Sequence, residues 1–432
     1  MIQAIRNGIA GLLILALLAV PIAAGLAIEI SPAVPAAPPP DASTAARARD
    51  VAALLQGVIE RGAARGELTL DIAEINALLV SAARLQPGIA GAARIENDKL
   101  WLDLSAGAPV IPGGIWANLH LAVAPSEHGI KIDAVRLGRL PLPAGLVEPA
   151  LRRGIDAALG DGLGRVLLDA VDRVRVEGSR VSVAFAFDPN RSAAIYERLK
   201  DRVRALAGGT DAERIYGKLR ALDRAGDRQQ LPSAGSVLPY LVRAVEGSSE
   251  GGRPSRDDLK AALIALTLYC GEDAFGPAVG ATLTAAMQGQ HNHCDRTTLA
   301  GRDDLKRHFI VSAGLYAART GATAFGLGEL KELLDSNPGG EGFSFDDIAA
   351  DLAGARFAQT FLGAPPAQWP ALLSMIDDES DVLPSLDGLP SGLSEAEFRA
   401  RFGNVDSPAY QAEIAEIAGR ISAMPLYGGL AN

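Results

Sequence analysis

The sequence predicts an α+β protein: a membrane anchor, then an antiparallel curved sheet packed with long helices, then a mainly α-helical domain. Three observations lead there. An apolar run opens the chain, period-two alternation is concentrated before residue 188, and helical spacing dominates after residue 256. The 432 residues correspond to two or three domains at roughly 150 residues each. Hydrophobic residues make up 48% and charged residues 21%, which supplies ample core and excludes a disordered chain. The net charge of −10 and an aromatic content of only 5% argue against a nucleic-acid partner. Two cysteines exclude a disulfide scaffold and a multi-cysteine zinc protein.

Gly8 to Ile28 is free of charge, and its 21 residues match a hydrocarbon core of about 30 Å. Arg6 precedes the run and no acid does, so the N-terminus is expected in the cytoplasm and the rest outside. Ala23, Ala24 and Ala27 also suit a signal peptidase. The run is longer than a signal core of about 7–15 residues, which favours an uncleaved anchor over residues 1–30. The expectation is an inner-membrane, single-pass protein with its bulk in the periplasm. Residues 31–41 hold five prolines between Ser31 and Pro40 and read as a stiff, extended spacer of roughly 30 Å.

Residues 42–189 read as an α+β domain. Val51, Leu54, Leu55, Val58 and Ile59 carry helical spacing within a helix over 43–62. Glu67–Leu70 is a short strand, and Asp71 caps a helix through Leu79. Lys99–Leu104, Trp116–Ala124 and Gly129–Leu137 alternate as half-buried strands, with Leu119, Leu121 and Val123 on one face. A helix from Leu146 to about Val171 follows. Gly178–Ser179 then turns a hairpin of Arg173–Glu177 and Arg180–Phe187. Residues 190–256 read as a helical connector. Residues 257–432 read as α-helical, with helices over 257–270, 278–287, 303–320, 327–336, 345–362, 394–402 and 408–423.

In the first domain, Leu68–Leu79 (LTLDIAEINALL), the strands after it and Arg136–Pro143 (RLGRLPLP) resemble the YpmS-like family of membrane-anchored envelope proteins. In the second, the order Asp304-Leu-Lys-Arg-His308-Phe309, Lys331-Glu332-x-x-Asp335, Gly342-Phe-Ser344-x-x-Asp347 and Ala350-Asp351-x-x-Gly354 resembles the YfiM-like envelope family over residues 301–354. It resembles the VanZ-like membrane family more distantly. The first resemblance implies a membrane-anchored envelope protein, and neither brings an activity with it.

Cys270 and Cys294 are expected to pair in an oxidising compartment. His291, His293 and Cys294 lie within four residues but lack a fourth ligand, so no metal site and no cofactor are expected there. Glu332 and Asp335 stand at i,i+3 and project from one side of a helix. Ser344 caps a helix that begins at Phe345, with Asp347 in its first turn, and Gly354 lets another helix approach. His308, Glu332, Asp335 and Asp347 are the candidate catalytic residues, with Lys331 and Ser344 as candidate ligand-binding residues. One imidazole with two or three carboxylates suits acid–base chemistry or a divalent cation, and also suits a purely structural polar network. The first function expected is a non-enzymatic envelope module binding a lipid or a partner protein. The alternatives are a hydrolase or transferase on an envelope polymer through His308 and its carboxylates, and a purely structural interaction protein. An apolar tunnel in the first domain favours the module; an open cleft around His308, Glu332, Asp335 and Asp347 favours the enzyme.

Overall fold

The computed structural model describes residues 26–34, 39–60, 65–85, 88–108, 114–143, 149, 152–153, 156, 163–186, 212–249, 254–271, 293–318, 331–333, 335–336 and 340–428. The chain divides into two compact units, residues 1–38 with 47–196, and residues 39–46 with 197–432.

The first unit holds two antiparallel sheets. Strands β1 (Ile28–Glu29), β3 (Ile89–Glu96), β4 (Lys99–Ala108), β5 (Ile115–Ala124), β6 (Lys131–Leu137) and β7 (Leu140–Pro141) form one, in the order β3-β4-β5-β6-β7 with β1 also on β5. Strands β2 (Arg65–Asp71), β8 (Val171–Glu177) and β9 (Arg180–Ala186) form the other, in the order β2-β9-β8. Helix α1 (Ala42–Glu60) precedes β2. Helix α2 (Ile72–Leu85) follows it directly and packs on β3, and helix α3 (Leu163–Asp169) leads into β8. The α2 start is capped as expected, the Asp71 carboxylate accepting the Ala73 N–H at 2.9 Å. Ile72, Ile75 and Leu79 of α2 close over Ala93, Leu100, Val123, Val174, Val176 and Val181. The expected strands are present, and Gly178 makes the hairpin turn with φ +59°. Sequence reasoning missed β3, whose IAGAARIE carries small residues where alternation needs large ones. Its turn uses Asn97 and Asp98, both at positive φ.

The spacer expectation is corrected for residues 31–34. Asn118 is fully buried rather than on an open face, because the chain after the apolar run docks on it. The Asn118 Oδ1 accepts the Ala33 N–H at 2.9 Å, its Nδ2 donates to the Ser31 carbonyl at 3.0 Å, and the Ser105 hydroxyl accepts the Val34 N–H at 3.0 Å. The Leu26 carbonyl accepts the Arg139 N–H at 2.8 Å. Buried amide and hydroxyl groups need partners, and this segment of backbone supplies them. Ala122 on β5 is also buried, so this strand is covered on both faces rather than half-buried. Among the described residues no helix is long and apolar enough to cross a membrane; the expected span over 8–28 lies outside them except for its last three residues.

The second unit is helical. Its elements are α4 (Ala212–Asp227), α5 (Leu238–Glu246), α6 (Arg256–Leu266), α7 (Asp303–Ala318), α8 (Phe345–Gly363), α9 (Trp369–Leu373), α10 (Glu395–Phe402) and α11 (Pro408–Ser422), with a two-stranded parallel contact of β10 (Gly235–Ser236) and β11 (Thr297–Thr298). The first part of the expected connector and the expected helix over 278–287 lie outside the described residues, as does much of those over 146–171 and 327–336. Helix α4, expected within a connector, contributes Ile215, Leu219 and Leu222 to the core of this unit. Ser255 caps α6, with Asp257 and Asp258 in its first turn rather than at the cap. Ser344, Ser394 and Ser407 cap α8, α10 and α11. Phe343, Phe345, Phe398, Phe402 and Tyr410 form one aromatic cluster, with Phe343 and Phe398 centroids 4.3 Å apart. It anchors the loop that ends at Ser344. Helices α7 and α8 pack closely, because a Cβ on Gly354 would collide with the Phe309 carbonyl.

Gly354→Ala is expected to destabilise the protein by roughly 1–3 kcal/mol through overpacking. Gly419, on exposed α11 with nothing within 4 Å of its absent Cβ, is expected to gain roughly 0.5–1 kcal/mol on the same change. Urea unfolding of both variants checks the pair, and equal effects would refute the close helix approach. Cys270 and Cys294 form a disulfide across 24 residues with Cα atoms 5.2 Å apart. Replacing both by Ser is expected to lower stability by about 3 kcal/mol in the chain-entropy treatment, read as a lower urea midpoint that reductant does not shift further.

Candidate functional site

Helices α7 and α8 build the site between them. His308 and Ser312 are four apart on α7, and Asp347 and Asp351 are four apart on α8, so each pair shares a face. The close approach at Gly354 brings the faces together. His308 Nδ1 stands 3.2 Å from Asp351 Oδ1, which also accepts the Ser312 hydroxyl at 2.7 Å. His308 Nε2 lies 3.6 Å from Glu332 Oε1 and 3.6 Å from Asp347 Oδ2. His308, Glu332, Asp347 and Asp351 are all buried.

The outer oxygens of Glu332 and Asp347 are held. Glu332 Oε2 accepts the Ser344 N–H at 3.0 Å. Asp347 Oδ1 accepts from Arg302 at 3.2 Å, and Arg302 also reaches Asp346 at 2.6 Å and Asp304. Lys331 donates to Asp335 at 2.6 Å and stands 3.4 Å from Glu332 Oε1. The buried Lys306 donates to the Cys294 carbonyl at 3.2 Å and pairs with Asp303 at 2.8 Å, tying the disulfide to the start of α7.

Burial works against the His308 imidazolium, but Asp351 outweighs it and lifts the group to about 9. Burial drives Glu332 up to about 8 against the pull of Lys331, and it raises Asp347 too. Lys331 is raised, because Glu332 and Asp335 outweigh its own partial burial. Burial pushes Asp304 up, but the Arg302 guanidinium holds it below its ordinary value.

A cavity of about 270 Å³ opens beside the cluster. Its lining is acidic at Asp304, Asp335, Glu341 and Asp351, basic at Arg307 and Lys331, and apolar at Val311 and Leu315, with His308 and Ser312 also on it.

Of the expected residues, His308, Glu332 and Asp347 converge. Asp335 does not join them: it is only half-buried and pairs with Lys331, although it lines the cavity. The third carboxylate at the imidazole is Asp351, which the sequence marked by its spacing from Asp347 but which was given no role. Ser344 is engaged as the α8 cap, its hydroxyl accepting the Asp347 N–H at 3.3 Å and meeting the Ser391 hydroxyl at 3.1 Å. Its contribution to the cluster is a backbone N–H. Ser312 was legible as the residue one turn after His308. Arg302 had no local signal, since it lies in the turn before α7. His291 lies outside the described residues, and His293 pairs with Asp227 at 3.1 Å. Cys294 is committed to the disulfide, which removes the thiolate a metal reading of that loop needs.

No protein-family model, curated protein or solved structure matches the chain.

Because the folded value of Asp304 lies below 3.8, its contribution to stability is present above that value and is lost as the pH falls through the depressed one. Arg302→Met is therefore expected to cost roughly 1–2 kcal/mol at neutral pH, a third of the side chain being exposed. The cost should shrink toward about pH 3. Urea unfolding at the two pH values checks it, and a constant gap would mean that Arg302 acts by packing alone.

Proposed function

We propose that this chain is a membrane-anchored, periplasm-facing cell-envelope protein whose helical unit is a hydrolase or transferase acting on an envelope polymer. The observation that carries the reading is the partly polar cavity of about 270 Å³ beside the buried His308–Asp351 pair. The sequence set an apolar tunnel in the first unit against an open cleft around His308, Glu332, Asp335 and Asp347; of those four, His308 and Asp335 line the cavity, while Glu332 and Asp347 lie behind the imidazole. Buried polar groups that converge beside a cavity are the usual sign of a reaction centre. His308, Glu332 and Asp347 form the proposed centre. Asp351 is a positioning residue that fixes the imidazole orientation through Nδ1.

The location rests on other features. The uncharged run over Gly8–Ile28 behind Arg6 supports an anchor with its bulk outside the cytoplasm. The Cys270–Cys294 disulfide agrees with an oxidising compartment. The motif resemblance to envelope families points the same way. The apolar faces of the first unit pack on one another around Val123 and Val174, which supports a structural role for that unit rather than lipid carriage.

The test incubates the full chain, in mild detergent, with isolated peptidoglycan and with phosphodiester-linked envelope polymers, and follows released fragments by mass spectrometry. Release by the wild type and a loss of about 100-fold or more in His308→Ala is the expected result. Absence of release from every polymer, or equal release by the folded variant, would overturn the proposal.

A further inference from the structure

We infer that His308, Glu332 and Asp347 hold a divalent transition-metal ion. His308, Glu332 and Asp347 each offer one ligand atom within 4.8 Å of the others, and His308 Nε2 faces Glu332 Oε1 and Asp347 Oδ2. Two donors about 2.1 Å from a shared ion stand about 3.6 Å apart when the angle between them is about 115–120°, near tetrahedral. Both imidazole–carboxylate separations are 3.6 Å.

The same distances are wrong for a simple ion pair. A protonated imidazole beside a carboxylate closes to roughly 2.7–2.9 Å. Here Nε2 sits equally far from two oxygens and has no hydrogen-bond partner among the described residues, although the side chain is more than nine-tenths buried. A body of the right size between the three atoms accounts for both facts.

The surroundings match what metal ligands require. Each ligand spends its other polar atom on a support: His308 Nδ1 on Asp351, Glu332 Oε2 on the Ser344 N–H, and Asp347 Oδ1 on Arg302. A carboxylate on the far nitrogen of a metal-bound histidine fixes the tautomer and turns the free nitrogen to the ion. Asp351 Oδ2 is itself buried without a hydrogen-bond partner, which leaves its charge to act through the imidazole. The charge balance also leaves room for a dication. Asp304, Glu332, Asp335, Asp346, Asp347 and Asp351 surround the site, and the permanent cations among their partners are Arg302 and Lys331. Lys331 stands 3.4 Å from Glu332 Oε1 but keeps its shorter contact, 2.6 Å, with Asp335. One imidazole with two carboxylates suits zinc or manganese, and three protein donors leave a position for water. The ion's catalytic role rests on the reaction proposed above; its binding stands on the geometry alone.

The test uses the full chain in mild detergent, stripped with a chelator and titrated with zinc chloride and, separately, manganese chloride. Native mass spectrometry gives stoichiometry and competition with a chromophoric chelator gives affinity. One ion per chain is expected. Glu332→Gln and Asp347→Asn should each weaken binding by at least about tenfold, and Asp351→Asn by about 10–100-fold. His293→Ala should leave it unchanged. Circular dichroism checks that each variant is folded, and the Asp351→Asn comparison stands if a ligand variant is not. Failure to bind either ion stoichiometrically, or binding that falls in His293→Ala but not in the site variants, would overturn the inference. A bound ion without release of polymer fragments would overturn the enzyme reading and leave the metal site standing. Release undiminished after chelation would overturn the ion's role.

Discussion

The close packing of α7 on α8 is the constraint on which the second unit depends. Gly354 has no Cβ, so the Phe309 backbone lies against α8 at a distance no other residue permits. That contact sets the spacing one and two turns away, where Asp351 meets His308 and Ser312, and where Asp347 enters the cluster. A methyl group at Gly354 would act on the chemistry as well as the packing, because the 3.2 Å contact of His308 with Asp351 has little slack.

Around that seam the molecule places support on three sides. The aromatic cluster of Phe343, Phe345, Phe398, Phe402 and Tyr410 holds the loop at Ser344, whose N–H restrains Glu332. Arg302 gathers Asp304, Asp346 and Asp347 at the facing ends of the two helices. The disulfide and Lys306 brace the other approach to α7. Buried charges carry a desolvation cost that packing alone does not return, so a cluster supported this thoroughly suggests selection for a site rather than for stability. The cavity beside His308 and Asp351 points the same way.

The first unit shows a related economy. The segment that follows the apolar run is fixed to the sheet through Asn118 and Ser105, whose polar side chains are buried and need backbone partners. A proline-rich composition reads as an extended tether when only local stiffness is considered. Two polar side chains more than seventy residues away decide otherwise.

Local signals were strong enough to determine much of this protein from its sequence. Serine caps, first-turn acids and helical spacing placed α8, α10 and α11, and period-two alternation placed β4, β5 and β6, because each depends on residues within a turn or two of one another. The capping role of Ser344 and the need for Gly354 were legible on the same basis, whereas the cysteine pairing was read from the expected oxidising compartment. Tertiary structure alone decided which carboxylates meet the imidazole. Glu332 and Asp335 share a helical side in sequence, yet one is fully buried and the other pairs with Lys331 at the cavity wall. Asp351 replaces Asp335 because a contact between helices depends on their crossing, which no residue spacing within one helix contains. Arg302 was hidden for the same reason, since it reaches Asp346 and Asp347 across the helix pair, whereas β3 was hidden because its small residues mask the alternation.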